Sequence, residues 1–322
     1  MPARKLRPRE DWGFFGPDSP TWRVWTAPTA LIGFQRAVVL EHFDPFLAAA
    51  VADSAGIYTN PMQRFDRTLD YFLTVAVADG RTAVQASETL MKVHSKATGI
   101  EPMSGLPYSA NDPESQLWIH VTGWHSVLHC YERFGPGRLS ADDERRFWAD
   151  CVVAAQLQTV DPGRVPRSRE EVREYFAAVR PRLGTSERAN TAMHHLLRTS
   201  RANATFRLWA GSRLMAPAAI ATLPRWMRKL GGYDQPSALD AAIVVPTRIA
   251  VRALGARRAR LAVLAVLAPR TAVSFAHWTS GAAPLRAATI TPVQAFARHG
   301  PAERKTRTRS ALSSVCAPSD FV

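Results

Sequence analysis

Cysteine and lysine are both scarce in this 322-residue chain. The three cysteines, Cys130, Cys151 and Cys316, are odd in number and widely spaced. This pattern argues against a disulfide framework and against a cysteine-rich metal module, so we expect a reducing, cytosolic compartment. Five of the 41 basic residues are lysine and the others are arginine, a bias that an arginine-rich genome would also produce.

Long hydrophobic runs and several catalytic motifs are also missing. No run approaches the roughly 18 apolar residues that a membrane-spanning helix needs, and the basic N-terminus leads into no apolar segment of a secretory signal. The glycine-rich phosphate loops, the G-x-S-x-G elbow, the H-E-x-x-H motif and paired E-x-x-H boxes do not occur. Nucleotide-dependent, serine-hydrolase, zinc-protease and helical di-iron chemistry are therefore disfavoured.

Acidic residues are rare in the C-terminal part of the chain. Residues 191–322 carry 19 basic and 4 acidic side chains, whereas residues 1–190 are nearly neutral. Such a basic part would attract anionic lipid or nucleic acid. Its arginines do not gather on one helix face with interleaved aromatics, so nucleic acid is unlikely as a partner, while peripheral membrane contact stays open.

Helix punctuation is abundant, and it predicts an all-α fold. A capping residue precedes proline at Asp44, Asn60, Asp112 and Thr291, and serines that can cap stand at positions 140 and 168. Glycines 80, 99, 135 and 231 are predicted to end helices in the left-handed conformation. The predicted helices span 21–42, 45–54, 61–78, 83–97, 113–134, 141–158, 169–180, 187–199, 217–230 and 237–254.

Neither an internal repeat nor a flexible linker divides the chain. We therefore predict a basic N-terminal arm over 1–12, a single multi-helix domain over 13–300 and a disordered tail over 301–322.

The helix predicted over 61–78 carries polar residues on its apolar face. Arg64, Thr68, Phe72 and Val75 share one stripe, so an arginine and a threonine turn toward the core. A buried guanidinium needs an anion, which could be an aspartate of another helix or an anionic ligand. Asp66 and Asp70 fall on other faces, where we expect them to be solvated.

The next helix places His94 on an apolar stripe near its C-terminal end. A lone histidine there is either a satisfied core residue or a ligand. An inward imidazole and an anion-binding arginine are the combination that a haem pocket uses for the iron and the propionates. In the third helix, His125 and His129 at i, i+4 could bind a metal from one face.

An ordered set of short motifs resembles a known family. R-x-x-R-T at Arg64–Thr68 is followed by V-H at residues 93–94, by Y-x-A-x-[ND]-P at residues 108–113 and by W-I-H at residues 118–120. Together these are similar to the rubber oxygenase (latex clearing protein) and MpaB-type oxygenase family. The resemblance covers about residues 13–230.

The resemblance implies a non-covalently bound haem b in a largely helical fold with a globin-like core. It assigns His94 as the iron ligand, Arg64 and Thr68 as polar residues beside the haem, and His120 as a further cofactor contact. Arg67 stands where rubber oxygenases carry a distal lysine, and with Thr68 it would act on bound O2. Because a guanidinium ligates iron poorly, the resemblance implies an open distal position here. The family's catalytic carboxylate has no clear counterpart, Glu41 being the remote candidate.

These observations favour a haem b-dependent, O2-using oxygenase that acts on a lipophilic isoprenoid or fatty substrate, and they name no electron donor. Two alternatives stay open. One is a haem-binding sensor or carrier without catalysis, and the other is a basic helical protein that binds a membrane surface or nucleic acid.

Overall fold

Capping residues and prolines mark where most helices begin. The computed structural model describes residues 7–54, 60–203 and 205–301 and confirms the all-α class. In chain order the α-helices are α1 (Pro20–Thr26), α2 (Ala30–Glu41), α3 (Pro45–Asp53), α4 (Pro61–Val77), α5 (Gly80–His94), α6 (Pro113–Phe134), α7 (Ala141–Ala155), α8 (Arg169–Val179), α9 (Glu187–Leu197), α10 (Phe206–Thr222), α11 (Arg225–Gly231), α12 (Ser237–Ala242), α13 (Val244–Ala253), α14 (Arg257–Leu267), α15 (Pro269–Trp278) and α16 (Pro292–His299).

Five of the six predicted capping residues are confirmed at the level of single hydrogen bonds, and the sixth, Asn60, makes no capping bond through its side chain. Side chains of Asp44, Asp112, Ser140, Ser168 and Thr291 each accept a hydrogen bond from a backbone N–H in the first turn of their helix. Each such bond satisfies a donor that the helix itself cannot pair.

Several details of the prediction are wrong. The helix expected over 217–230 is replaced by α10 and α11, and the helix expected over 237–254 is divided into α12 and α13. The helix expected over 21–42 is divided into α1 and α2 at Pro28, whose ring cannot supply an N–H to a continuous helix. Residues 98–109 form a short antiparallel hairpin, with β1 (Thr98–Ile100) pairing β2 (Pro107–Ser109). None of the four glycines predicted as left-handed caps has a positive φ; Gly232, one residue after α11, adopts that conformation with φ 67°.

Helices α2 and α6 pack against each other through the centre of the molecule. A Cβ added to Gly33 of α2 would stand 2.7 Å from the Cα of Val127 in α6, so glycine is what permits this close approach. The rings of Trp25, Phe72 and Trp124 pack beside this contact and tie α1 and α4 to α6. The polar residues at the ends of α2, α4 and α5 are thus held by a rigid core.

Asp66 and Asp70 are buried, so the expectation that they are solvated is wrong. The Asp66 carboxylate accepts hydrogen bonds from the backbone N–H groups of Arg270 and Thr271, both at 2.8 Å, and from the Thr271 hydroxyl at 2.7 Å. The Asp70 carboxylate accepts one from the Arg270 guanidinium at 2.7 Å. Helix α15, about 200 residues further along the chain, is therefore capped by Asp66 of α4, while Asp70 forms an ion pair with the side chain of Arg270.

The described part of the predicted N-terminal arm packs onto the helices. The Arg9 guanidinium donates to the carbonyl oxygens of Val77 at 2.9 Å and Trp278 at 2.6 Å, at the C-terminal ends of α4 and α15. Residues 1–6 and the predicted tail beyond residue 301 lie outside the described residues. Every helix in the described ranges is too short or too polar to span a bilayer.

Candidate functional site

Polar side chains from the ends of three helices come together at the start of α4. Arg64 lies in the first turn of α4, and its charge affects the pKa values of Glu41 and His42 at the end of α2 and of His94 at the end of α5. We call Glu41, His42, Arg64 and His94 the Arg64 cluster.

Arg64 is half-buried, and its Nη1 donates to the hydroxyl of Ser54 at 2.6 Å instead of to an aspartate of another helix. Burial lowers the pKa of the guanidinium, and Glu41 offsets part of that shift. A cation in these surroundings attracts an anion, because little of its hydration remains.

His94 is the last residue of α5 and is held on its Nδ1 side. Nδ1 lies 3.4 Å from Nε2 of Gln116, and the backbone of Ala110 opposes part of the pKa shift of the imidazole. Gln116 itself donates to the Ala110 carbonyl at 2.5 Å. Burial first, and the charge of Arg64 second, lower the pKa of His94, so the ring is neutral at pH 7. A neutral imidazole fixed through one nitrogen is the form in which histidine binds metals through the other.

His42 and Glu41 are also uncharged for most of their population at neutral pH. Burial lowers the pKa of His42 to about 4, with a further contribution from Arg64. Its Nδ1 bonds the Val38 carbonyl, and its buried Nε2 has no hydrogen-bond partner among the described residues. Burial raises the pKa of Glu41 to about 8 although Arg64 opposes the shift. Arg64 is therefore the charged member of the cluster.

Comparison with protein families identifies the chain. A family model described as ER-bound oxygenase mpaB/B'/rubber oxygenase, catalytic domain, matches residues 22–256, which is well over half of the sequence. The chain belongs to this oxygenase family. No curated protein and no solved structure matches it. Membership in this family supports an oxygenase role, and an oxygenase uses O2 and a substrate. The matched segment contains every residue of the Arg64 cluster.

Of the residues that the rubber oxygenase resemblance singles out, the fold brings three together. Thr68 lies one turn after Arg64 on α4, and its hydroxyl donates to the Arg64 carbonyl at 3.0 Å. His94 faces the same cluster from α5. Arg67 is exposed on α4, on a face adjacent to that of Arg64, about 60° around the helix.

His120 lies deeper in the rubber oxygenase-like chain, between α6 and α7. Its Nε2 donates to the carbonyl oxygen of Cys151 at 2.8 Å, and its buried Nδ1 has no partner among the described residues. Burial lowers the pKa of His120 to about 4. The ring packs 5.9 Å from that of Trp124 and makes no described contact with the Arg64 cluster.

An arginine side chain lies against the histidine pair formed by His125 and His129. Nδ1 of His125 lies 3.3 Å from Nη1 of Arg36, a buried guanidinium that also donates to Ser126 at 2.6 Å. A cation at this distance opposes metal binding. Among the described residues no group of three or more histidine, cysteine, aspartate or glutamate side chains is placed to hold a metal ion.

Sequence reasoning missed His42, Gln116 and Ala110, and named Glu41 as a remote candidate. One signal was available for this pair: Glu41 and His42 stand at the C-terminal end of a mostly apolar helix, shortly before the Asp44 cap. Polar residues at the end of a buried helix are frequently functional. Gln116 carried no comparable signal, because its position beside His94 depends on how α5 meets α6.

Proposed function

We propose that this chain is a haem b-dependent oxygenase that uses O2 to oxidise a lipophilic isoprenoid or fatty substrate. The observation that carries the proposal is the neutral His94, held from its Nδ1 side, beside the Arg64 guanidinium. Family membership supplies the oxygenase role.

The donor set suits a haem. A haem needs a neutral imidazole nitrogen for iron and cationic groups for its propionates. His94 offers the ring nitrogen that does not face Gln116. Arg64 offers the positive charge, and among the described residues no carboxylate lies within 4 Å of its guanidinium nitrogens. The unpartnered Nε2 of His42 supports a bound group at this cluster, since buried nitrogens in proteins are usually paired. When bound, a haem supplies the iron at which O2 is activated.

The residues around the site would position the cofactor, neutralise its charge, hold a proton and exclude water. Gln116, itself bound to the Ala110 carbonyl, would fix the rotation of the His94 ring. Arg64 neutralises a propionate. Glu41, with its pKa near 8, would hold a proton at its carboxyl group at neutral pH and could exchange it with a substrate. The apolar residues of the core exclude water from the site.

The absorption spectrum of the purified protein tests the cofactor. Expression with a haem supply should give a Soret band and about one haem b per chain by pyridine haemochrome assay. His94→Ala should lose this haem, and His299→Ala, a change in α16 away from the Arg64 cluster, should keep it. A His94→Ala protein with full haem and an unaltered spectrum would remove His94 as the ligand, and His42 and His120 would be tested next.

Oxygen uptake separates the oxygenase from the sensor or carrier alternative. The haem-loaded protein is supplied with a reductant and either oligoisoprene or an unsaturated fatty acid under labelled O2. Mass spectrometry should find the label in an oxidised product. Stoichiometric haem without labelled product from either class of lipid would favour the non-catalytic alternative.

A further inference from the structure

An apolar pocket lies on the side of α4 opposite the Arg64 cluster. Its cavity volume is about 40 Å³, and the space between the α1–α2 connection, α4, α14 and α15 reaches about 480 Å³ when the solvent-filled mouth is included. Its walls include the side chains of Trp25, Leu31, Leu69, Leu73, Leu264 and Phe275. At about 100° per residue, Leu69 and Leu73 stand roughly 140–180° around α4 from Arg64, so the two sites are separate.

One charged side chain, Arg260 of α14, lines this pocket. Its Nη1 donates to the carbonyl oxygen of Thr26 at 2.6 Å and its Nη2 to that of Gly255 at 3.2 Å, while the guanidinium lies 5.4 Å from the centre of the Phe275 ring. Nε is buried and has no partner among the described residues.

Arg260 lacks a compensating negative charge in its surroundings. Burial and then the neighbouring charge of Arg257 both lower its pKa, and no carboxylate acts in the other direction. Carbonyl oxygens satisfy two of its N–H groups but leave the charge unpaired. A partly buried guanidinium of this kind is stabilised by an anion that brings its own apolar surface.

We infer that the pocket binds a fatty acid, with the carboxylate at Arg260 and the alkyl chain between α4 and α15. A carboxylate matches the planar guanidinium and supplies the missing charge, and an alkyl chain matches walls built from leucine and aromatic side chains. Arg257 and Arg258, at the start of the same helix, raise the local concentration of anions near the mouth.

The test compares dodecanoate with 1-dodecanol by calorimetry on the whole protein, below the concentration at which either ligand forms micelles. The two ligands share an alkyl chain and differ in charge. Dodecanoate should bind saturably, at one site per chain, and about tenfold or more tightly than the alcohol, as expected for a charge-assisted pair.

Two matched variants of α14 locate the carboxylate. Arg260→Gln should weaken dodecanoate binding about tenfold and leave dodecanol binding unchanged, whereas Arg258→Gln, an exposed change in the same helix, should stay within about twofold of the wild type. Equal weakening by both variants would mean that dodecanoate responds to surface charge, and it would overturn the proposal.

Val263→Trp locates the alkyl chain, because Val263 lines the pocket and a larger ring would fill it. It should weaken both ligands. Undiminished binding in a folded Val263→Trp protein, or no saturable dodecanoate binding by the wild type, would overturn the proposal. If Val263→Trp does not fold, the Arg260 and Arg258 pair decides alone. His94→Ala should bind dodecanoate normally, so the outcome does not depend on haem.

Discussion

Nδ1 of His94 lies 3.4 Å from Nε2 of Gln116, and this contact joins the last residue of α5 to the first turn of α6. Gln116 is buried and also donates to the Ala110 carbonyl, so it links the segment between the helices to the imidazole. The orientation of the proposed iron ligand therefore depends on a residue of a different helix.

Replacing Gln116 tests this positioning role. Gln116→Leu should keep the helical content and lower the haem affinity about tenfold, because the His94 ring loses a partner that fixes its orientation. Haem transfer to apomyoglobin measures the change. Gln85→Leu, an exposed change on α5, should leave haem affinity unaltered. Equal haem loss rates in both variants would show that Gln116 does not orient the ligand.

Arg64 and Arg67 provide a matched pair on one helix. Arg64→Ala should lower haem retention, since a propionate would lose its cation, whereas Arg67→Ala should retain haem because Arg67 is exposed. Haem content after gel filtration measures the difference. If both variants retain the wild-type haem content, Arg64 does not hold the cofactor.

Glu41 should make stability depend on pH. Its pKa is about 8 in the folded protein and near 4.5 when unperturbed, so between these values the folded chain binds more protons than the unfolded chain. The free energy of unfolding then falls as pH rises through this range.

Glu41→Gln removes that dependence, and its stability relative to the wild type should rise by about 4–5 kcal/mol between about pH 5 and pH 8 and stay constant above. Urea unfolding of samples with equal haem content measures the difference. Glu170→Gln, at an exposed site, should follow the wild-type curve at every pH. A pH-independent offset in Glu41→Gln would show that Glu41 titrates normally.

We expect Asp66 to affect the free energy of unfolding more than the oxygenase activity. Asp66→Ala removes a carboxylate that accepts three hydrogen bonds at the start of α15, and we expect it to lower the free energy of unfolding by about 3 kcal/mol. Asp18→Ala, an exposed loop change, should cost less than about 0.5 kcal/mol. Similar losses from the two changes would contradict the capping role of Asp66.

The sequence by itself determined the all-α class and the starts of the capped helices. A capping side chain followed by proline acts within one helical turn. The local sequence at Asp44, Asp112 and Thr291 is therefore sufficient to predict where their helices begin. The ordered motifs from Arg64 to His120 were sufficient to indicate the oxygenase family.

Only the tertiary structure decided which polar residues share a site. Asp66 and Arg67 are adjacent and equally polar, yet one caps α15 and the other is exposed, because helix α15 docks on one face of α4. Glu41 and His94 are 53 positions apart, and each lies near Arg64 because α2 and α5 both end close to the start of α4. Periodicity tells which face of a helix is apolar, but packing between distant segments decides what that face meets.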